Sequence, residues 1–94
     1  MNEVRILGQV YRISEVECVS KEELVKGSIN FLTHEIRIDK SMPDDLKKQT
    51  MLHEVIHAIC DALGLYELGE DEQAVQSLAT ALYSVFRDQI TFSF

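Results

Sequence analysis

The segment 53–57, with the sequence His-Glu-Val-Ile-His, constrains this chain more than any other feature. Side chains four residues apart lie on one face of an α-helix, so the imidazoles of His53 and His57 can converge on a single metal ion. Imidazole nitrogens bind Zn²⁺ at about 2.0–2.1 Å, and two of them supply half of a tetrahedral site. The motif therefore predicts a helix over these residues and a zinc ion held on one face of it.

Glu54 adds a reactive group to the motif. On a helix its side chain points about a quarter-turn away from the imidazoles, where it can reach a water on the metal without binding the metal itself. Zinc lowers the pKa of such a water to about 7, and a carboxylate can accept its proton as the water attacks a carbonyl. We therefore predict that Glu54 is a general base and that the chain is a zinc-dependent peptidase with a peptide or protein substrate.

A catalytic zinc site normally has three protein ligands and one open position, so a third ligand is needed. The metzincin pattern would place glycine at position 60 and histidine at position 63, where this chain has Cys60 and Leu63. A glutamate from the following helix is the common alternative. We predict Glu72, because its spacing to Val75 puts it on the inward-facing stripe of that helix. Three other acidic residues are in range: Glu67, Glu70 and Asp71.

Periodicity in the first half of the chain predicts strands. Apolar and polar residues alternate over residues 4–19, which indicates a strand broken once at Gly8. Residues 20–27 begin with the spacing of a capping box and end in glycine, so they predict a short helix. Two β-rich runs follow, at residues 29–32 and 35–38, and the two residues between them predict a hairpin.

The second half of the chain predicts two helices. The first is capped by Ser41, has Pro43 in its first turn and ends at Gly64. It is apolar on more than one side, which is typical of a helix at the centre of a domain. After a linker at residues 65–69, the second helix covers residues 70–87. Five apolar residues form its predicted core stripe: Val75, Leu78, Ala79, Leu82 and Phe86.

These elements predict an α+β fold for residues 1–94, with a small antiparallel sheet packed on two main helices in one domain. The net charge of −7 argues against a nucleic-acid partner, because phosphate binding needs a basic surface. No apolar run is long enough to cross a membrane, and no signal pattern is present, so we expect a cytoplasmic protein. Cys18 and Cys60 are expected to be reduced and structural.

Residues 51–58, followed by residues 72–79, resemble small phage- and prophage-encoded zinc peptidase-like proteins of Gram-positive bacteria. More distantly, they are similar to the ImmA/IrrE metallopeptidase family. The resemblance covers about the C-terminal half of the chain. It implies a minimal zincin arrangement, with His53, His57 and Glu72 as zinc ligands and Glu54 as catalytic base.

The same resemblance raises two further points. The larger family usually has aspartate where this chain has Gln76, at a position expected to support a zinc ligand. Such proteins commonly receive the substrate peptide by strand addition at an edge strand, for which residues 35–39 are the candidate.

Some residues and functions stay open at this level. Cys60 lies on the helix face of the two histidines and is an alternative fourth, soft ligand. A fourth protein ligand would favour a non-enzymatic, zinc-stabilised protein-interaction module, and a chain without metal would be a phage accessory protein. Four residues are weaker candidates for stabilising an oxyanion or orienting a ligand: His34, Asp61, Tyr66 and Tyr83.

Overall fold

In the computed structural model the chain is described over residues 2–17 and 26–87. Four strands are present: β1 (Glu3–Ile6), β2 (Gln9–Val16), β3 (Gly27–Asn30) and β4 (Glu35–Asp39). Three helices follow: α1 (Asp44–Leu63), α2 (Tyr66–Glu70) and α3 (Glu72–Phe86). The predicted α+β class is therefore confirmed. The predicted short helix at residues 20–27 falls mostly outside the described residues, as does Cys18, and Gly27 begins a strand instead of ending a helix.

The sheet is mixed, with strand order β1-β2-β4-β3. β1 and β2 form an antiparallel hairpin whose turn residues, Leu7 and Gly8, have φ of 50° and 82°. The break predicted at Gly8 is thus confirmed, and the left-handed backbone suits a tight hairpin turn. β2 and β4 are parallel, with Ile13 opposite Ile36. The prediction of a purely antiparallel sheet is therefore wrong.

β3 and β4 pair antiparallel, as the predicted hairpin requires. Their connection has four residues, not two, and the side chain of Asn30 accepts hydrogen bonds from the backbone N–H groups of Leu32 and Thr33 at 2.9 and 3.1 Å. This hairpin is placed with β4 inside the sheet and β3 at its edge. Residues 35–39 are consequently a central strand, and the prediction that they form an edge strand is wrong.

The helix α1 forms the middle layer of the molecule. Met51 and Ala58 pack on the sheet in a core with Ile36 and Ile38, whereas another face of α1 packs on α3. This confirms the expected helix with more than one apolar side. Neither α1 nor any other helix within the described ranges is long and apolar enough to cross a membrane.

The start of α1 differs from the prediction. Ser41 does not cap the helix, because its backbone N–H and its hydroxyl donate to Asp39 at 2.9 and 2.7 Å. Pro43 occupies the N-cap position, followed by Asp44 and Asp45 in the first turn. The helix ends as predicted at Gly64, whose φ of 72° is in the left-handed region.

The segment after α1 also departs from the prediction. The predicted linker at residues 65–69 is largely helical and forms α2. The next helix, α3, begins at Glu72, and the side chain of Asp71 caps it by accepting a hydrogen bond from the N–H of Ala74 at 3.0 Å. Within the predicted core stripe Val75 and Ala79 are buried, but three residues are partly exposed: Leu78, Leu82 and Phe86. The reason is that α3 contacts α1 and α2 but not the sheet within the described residues, so it buries only a narrow face.

Candidate metal centre

Two helices bring the predicted ligands together. His53 and His57 lie one turn apart near the middle of α1, with side chains 15% and 12% exposed. Glu72 is the first residue of α3, and its side chain is 67% exposed. The prediction that Glu72 lies on the buried stripe of α3 is therefore wrong. Its side chain reaches the imidazoles from the N-terminal end of that helix instead. The positive N-terminus of α3 favours its negative charge there.

The three side chains point their electron-pair donors at one another. The Nε2 atoms of His53 and His57 are 3.2 Å apart. One oxygen of Glu72 lies 3.0 Å from His53 Nε2, and the other lies 2.9 Å from His57 Nε2. Ligands bonded to a tetrahedral zinc at about 2.0–2.1 Å stand about 3.3 Å apart, and each of these separations is within a few tenths of an ångström of that value, with one Glu72 oxygen near each imidazole.

The chemistry of this group also fits a cation. Neutral imidazole nitrogens without hydrogen and carboxylate oxygens are all acceptors, and acceptors at these separations repel one another. A proton can bridge one pair of them, whereas one cation between all three satisfies the whole group. A neutral His pair with one carboxylate is also a ligand set that Zn²⁺ takes in catalytic sites.

Gln76 supports His53 from behind. Its Nε2 donates to the hydroxyl of Thr80 at 3.2 Å, which turns its Oε1 toward His53 Nδ1 at 2.9 Å. With the hydrogen of the neutral ring on Nδ1, Nε2 presents its lone pair to the ligand group. Gln76 therefore lies where a residue that orients a zinc ligand is expected, with a neutral amide oxygen in place of a carboxylate.

We expect Gln76→Leu to weaken zinc binding by about tenfold to a hundredfold, because His53 would lose the partner that sets its tautomer. Competition with a chromogenic chelator measures this affinity. Gln73→Leu, an exposed position on the same helix outside the ligand group, is the matched control. Equal zinc affinities of the two variants would show that Gln76 does not support the ligand.

Glu54 lies beside the ligands but is not one of the three residues whose ligand atoms cluster. It is 6% exposed, and burial raises the pKa of its carboxyl to about 7 from an ordinary 4.5. Its charged neighbours act in opposite directions on this pKa, with His53 lowering it and Glu72 raising it. Removal from water thus dominates, since it disfavours the charged form of an acid.

The ligands open onto a cavity of about 350 Å³, which also receives Glu54 and Gln76. Sequence reasoning missed three residues of its wall: Lys26, Gly27 and Thr50. A Cβ on Gly27 would come within 2.7 Å of Thr50 Cγ2 and 3.5 Å of Glu54 Oε2. Glycine therefore lets the start of β3 lie against Thr50 of α1, next to Glu54, in a long-range contact that leaves no local signal in the sequence.

Several other candidates lie outside the ligand group. Cys60 is 3% exposed and packs with Ile56, Val75 and Ala79, so the structure does not make it a fourth ligand. The ring of His34 stacks on Tyr11, with centroids 4.4 Å apart. The remaining candidates are also placed elsewhere. The Tyr83 hydroxyl donates to Asp45, Asp71 caps α3, and Glu67 lies in the first turn of α2. Asp61, Tyr66 and Glu70 border a neighbouring cavity.

Comparisons of the chain with models of protein families, with curated proteins and with solved structures give no match. The resemblance to zinc peptidase-like proteins therefore stays a prediction, and the case for a metal centre depends on the residues themselves.

Proposed function

We propose that this protein is a zinc-dependent peptidase. The observation that carries the proposal is the cluster of His53, His57 and Glu72, whose ligand atoms all lie within 4.8 Å of one another beside a buried glutamate. Zinc bound there would polarise a substrate carbonyl and lower the pKa of water to about 7. We further propose that the protein acts in the cytoplasm.

In this proposal each residue has one role. His53, His57 and Glu72 hold the metal, and Gln76 keeps His53 in the tautomer that leaves Nε2 unprotonated. Glu54 accepts the proton of the attacking water. Glu54 is suited to this role by its place, since it lies beside the ligands and lines the same cavity.

The strand that would receive a substrate peptide is β3, in place of the strand at residues 35–39 first expected. β3 is an edge strand, and its first residue, Gly27, borders the cavity together with Glu54. Within the described residues the outer edge of β3 has no strand beside it, and an extended peptide that paired there would pass this cavity. Its backbone would be held by main-chain hydrogen bonds, which do not depend on its sequence.

The rival function is a non-enzymatic module in which zinc only stabilises the fold. Structural zinc sites are normally closed by four protein ligands. Within the described residues the ligand group has three members, and Cys60 packs in the core between α1 and α3. The ligand count and the buried Glu54 favour the peptidase over the module.

A thermal melt with a hydroxamate tests the proposal without a known substrate. We expect a simple hydroxamate such as acetohydroxamate to bind the zinc-loaded protein at the open position and to raise its melting temperature, because a ligand that binds only the folded state stabilises it. A site closed by four protein ligands has no open position. A hydroxamate that removes zinc and lowers the melting temperature would therefore support the module and contradict the peptidase.

A further inference from the structure

A second cavity, of about 230 Å³, adjoins the metal centre and shares His57 with it. The rest of its wall comes from the β3–β4 turn, the end of α1 and the helix α2. Six residues supply this part: Phe31, Cys60, Asp61, Tyr66, Gly69 and Glu70. Sites for drug-sized ligands have volumes of about 300–1,000 Å³, so this cavity is suited to a single side chain.

The cavity wall carries negative charge without a partner. Asp61 and Glu70 are both exposed, and neither forms an ion pair within residues 2–17 and 26–87. No lysine or arginine of the described part of the chain lines the cavity. The net charge of −7 adds to the attraction of this region for a cation.

Two aromatic rings and one buried thiol form other parts of the cavity wall, and they can contact the charged end and the methylene stem of a basic side chain. Phe31 and Tyr66 are 39% and 63% exposed, and aromatic rings attract cations to their faces. The buried thiol of Cys60 lines the same cavity, without a disulfide and without a hydrogen-bond partner in the described part of the chain. A buried thiol behaves as a small apolar group, against which the methylene stem of a lysine or arginine can pack.

We propose that this cavity is a specificity subsite for a lysine or arginine side chain of the substrate, next to the bond held at the metal centre. The inference rests on the proposed peptidase function and adds its substrate class. Because His57 borders both cavities, a peptide positioned at the metal centre has the second cavity within reach of a neighbouring side chain. Asp61 and Glu70 select the positive charge.

Two hydroxamates that differ only in one charge test the subsite. N-acetyl-lysine hydroxamate and N-acetyl-norleucine hydroxamate share the metal-binding group and the four-carbon stem, and only the first carries an ammonium. We expect zinc-loaded protein to bind the lysine compound about tenfold more tightly by calorimetry, from two exposed ion pairs and a cation–π contact. The preference should shrink as salt is added.

The double variant Asp61→Asn, Glu70→Gln should abolish the preference. The control Glu3→Gln, Glu67→Gln removes the same charge from exposed residues outside the cavity and should keep it. Equal affinities of the two hydroxamates for the unmodified chain would overturn the subsite while leaving the peptidase in place. Failure of both compounds to bind would count against the open zinc site.

A second measurement tests, without zinc, whether the cavity binds a lysine side chain. Nuclear magnetic resonance spectra of the purified chain are recorded during titration with N-acetyl-lysinamide and with N-acetyl-norleucinamide at millimolar concentration. We expect the backbone amides of residues 60–61 and 66–70 to shift with the lysine compound alone, and the double variant to lose the effect. Identical shifts with both compounds, or none at all, would overturn the subsite.

Discussion

Replacing His53 with alanine should reduce the zinc content of the purified protein from about one equivalent per chain to almost none. The substitution leaves two ligands, His57 and Glu72, and removes the nitrogen that lies within 3.2 Å of both of their ligand atoms. Loss of a residue that only orients a ligand costs about tenfold to a hundredfold in metal affinity, so loss of the ligand itself should cost more. Elemental analysis after gel filtration measures the result.

The same substitution should remove most of the stabilisation that zinc gives. At a thousandfold excess over its dissociation constant, a ligand of the folded state adds about 4 kcal/mol. For a domain of this size that is roughly 15–30 °C in melting temperature. Added zinc should therefore raise the melting temperature of the unmodified protein strongly and that of His53→Ala only slightly.

His34→Ala is the matched control for this loss, because His34 is the third histidine of the chain and its ring stacks on Tyr11 away from the ligands. It should keep full zinc. Glu72→Ala should weaken zinc binding, whereas Glu67→Gln, at an exposed acid of α2, should not. Full zinc content in a His53→Ala, His57→Ala double variant would contradict the proposed centre.

The features that could be predicted from the sequence have short-range causes. The spacing of His53 and His57 is set by the pitch of a single helix, and the end of α1 is set by one glycine that adopts φ of 72°. Glu72 was predicted as the third ligand from its spacing to Val75, but it reaches the histidines from the exposed first turn of α3 and not from the buried stripe. The structure places its carboxylate within 3.0 Å of both imidazoles.

The features that could not be predicted depend on pairing between distant segments. Alternation over residues 4–19 indicates strands but not their partners, and the parallel pairing of β2 with β4 places β3 at the sheet edge. Because of this pairing, the edge strand is β3 and not residues 35–39, and Gly27 lies beside Glu54. The partial exposure of the apolar stripe of α3 also depends on distant segments. The periodicity of a helix shows which of its sides is apolar, but not how much of that side the neighbouring elements cover.

A buried carboxylate beside the ligands is costly to the fold and useful to the proposed reaction. Glu54 is 6% exposed, and the rise of its pKa to about 7 means that the folded chain holds its proton far more firmly than the unfolded chain does. Such a group destabilises the native state wherever it must be charged. Bound zinc would lower this pKa again and favour the charged form that a general base needs.

Glu54→Gln should therefore stabilise the metal-free protein while removing hydrolysis. Below pH 4.5 the acid is protonated in both states and costs nothing. As the pH rises from 4.5 to about 7, the unfolded state releases its proton first, and the native state loses up to about 3 kcal/mol relative to the variant. Above pH 7 the difference should be constant. Urea unfolding of chelated protein at pH 5 and pH 8 measures it.

The zinc-loaded Glu54→Gln protein should keep its metal, because Glu54 is not in the ligand group, and lose about 10²–10⁴-fold in peptide cleavage, because an amide accepts no proton from water. Glu67→Gln makes the same chemical change at an exposed acid and should alter neither property. Parallel pH profiles of stability for the unmodified chain and Glu54→Gln would contradict the buried-acid account. Undiminished cleavage by zinc-loaded Glu54→Gln would exclude this residue as the base, because no proton acceptor would remain at that position.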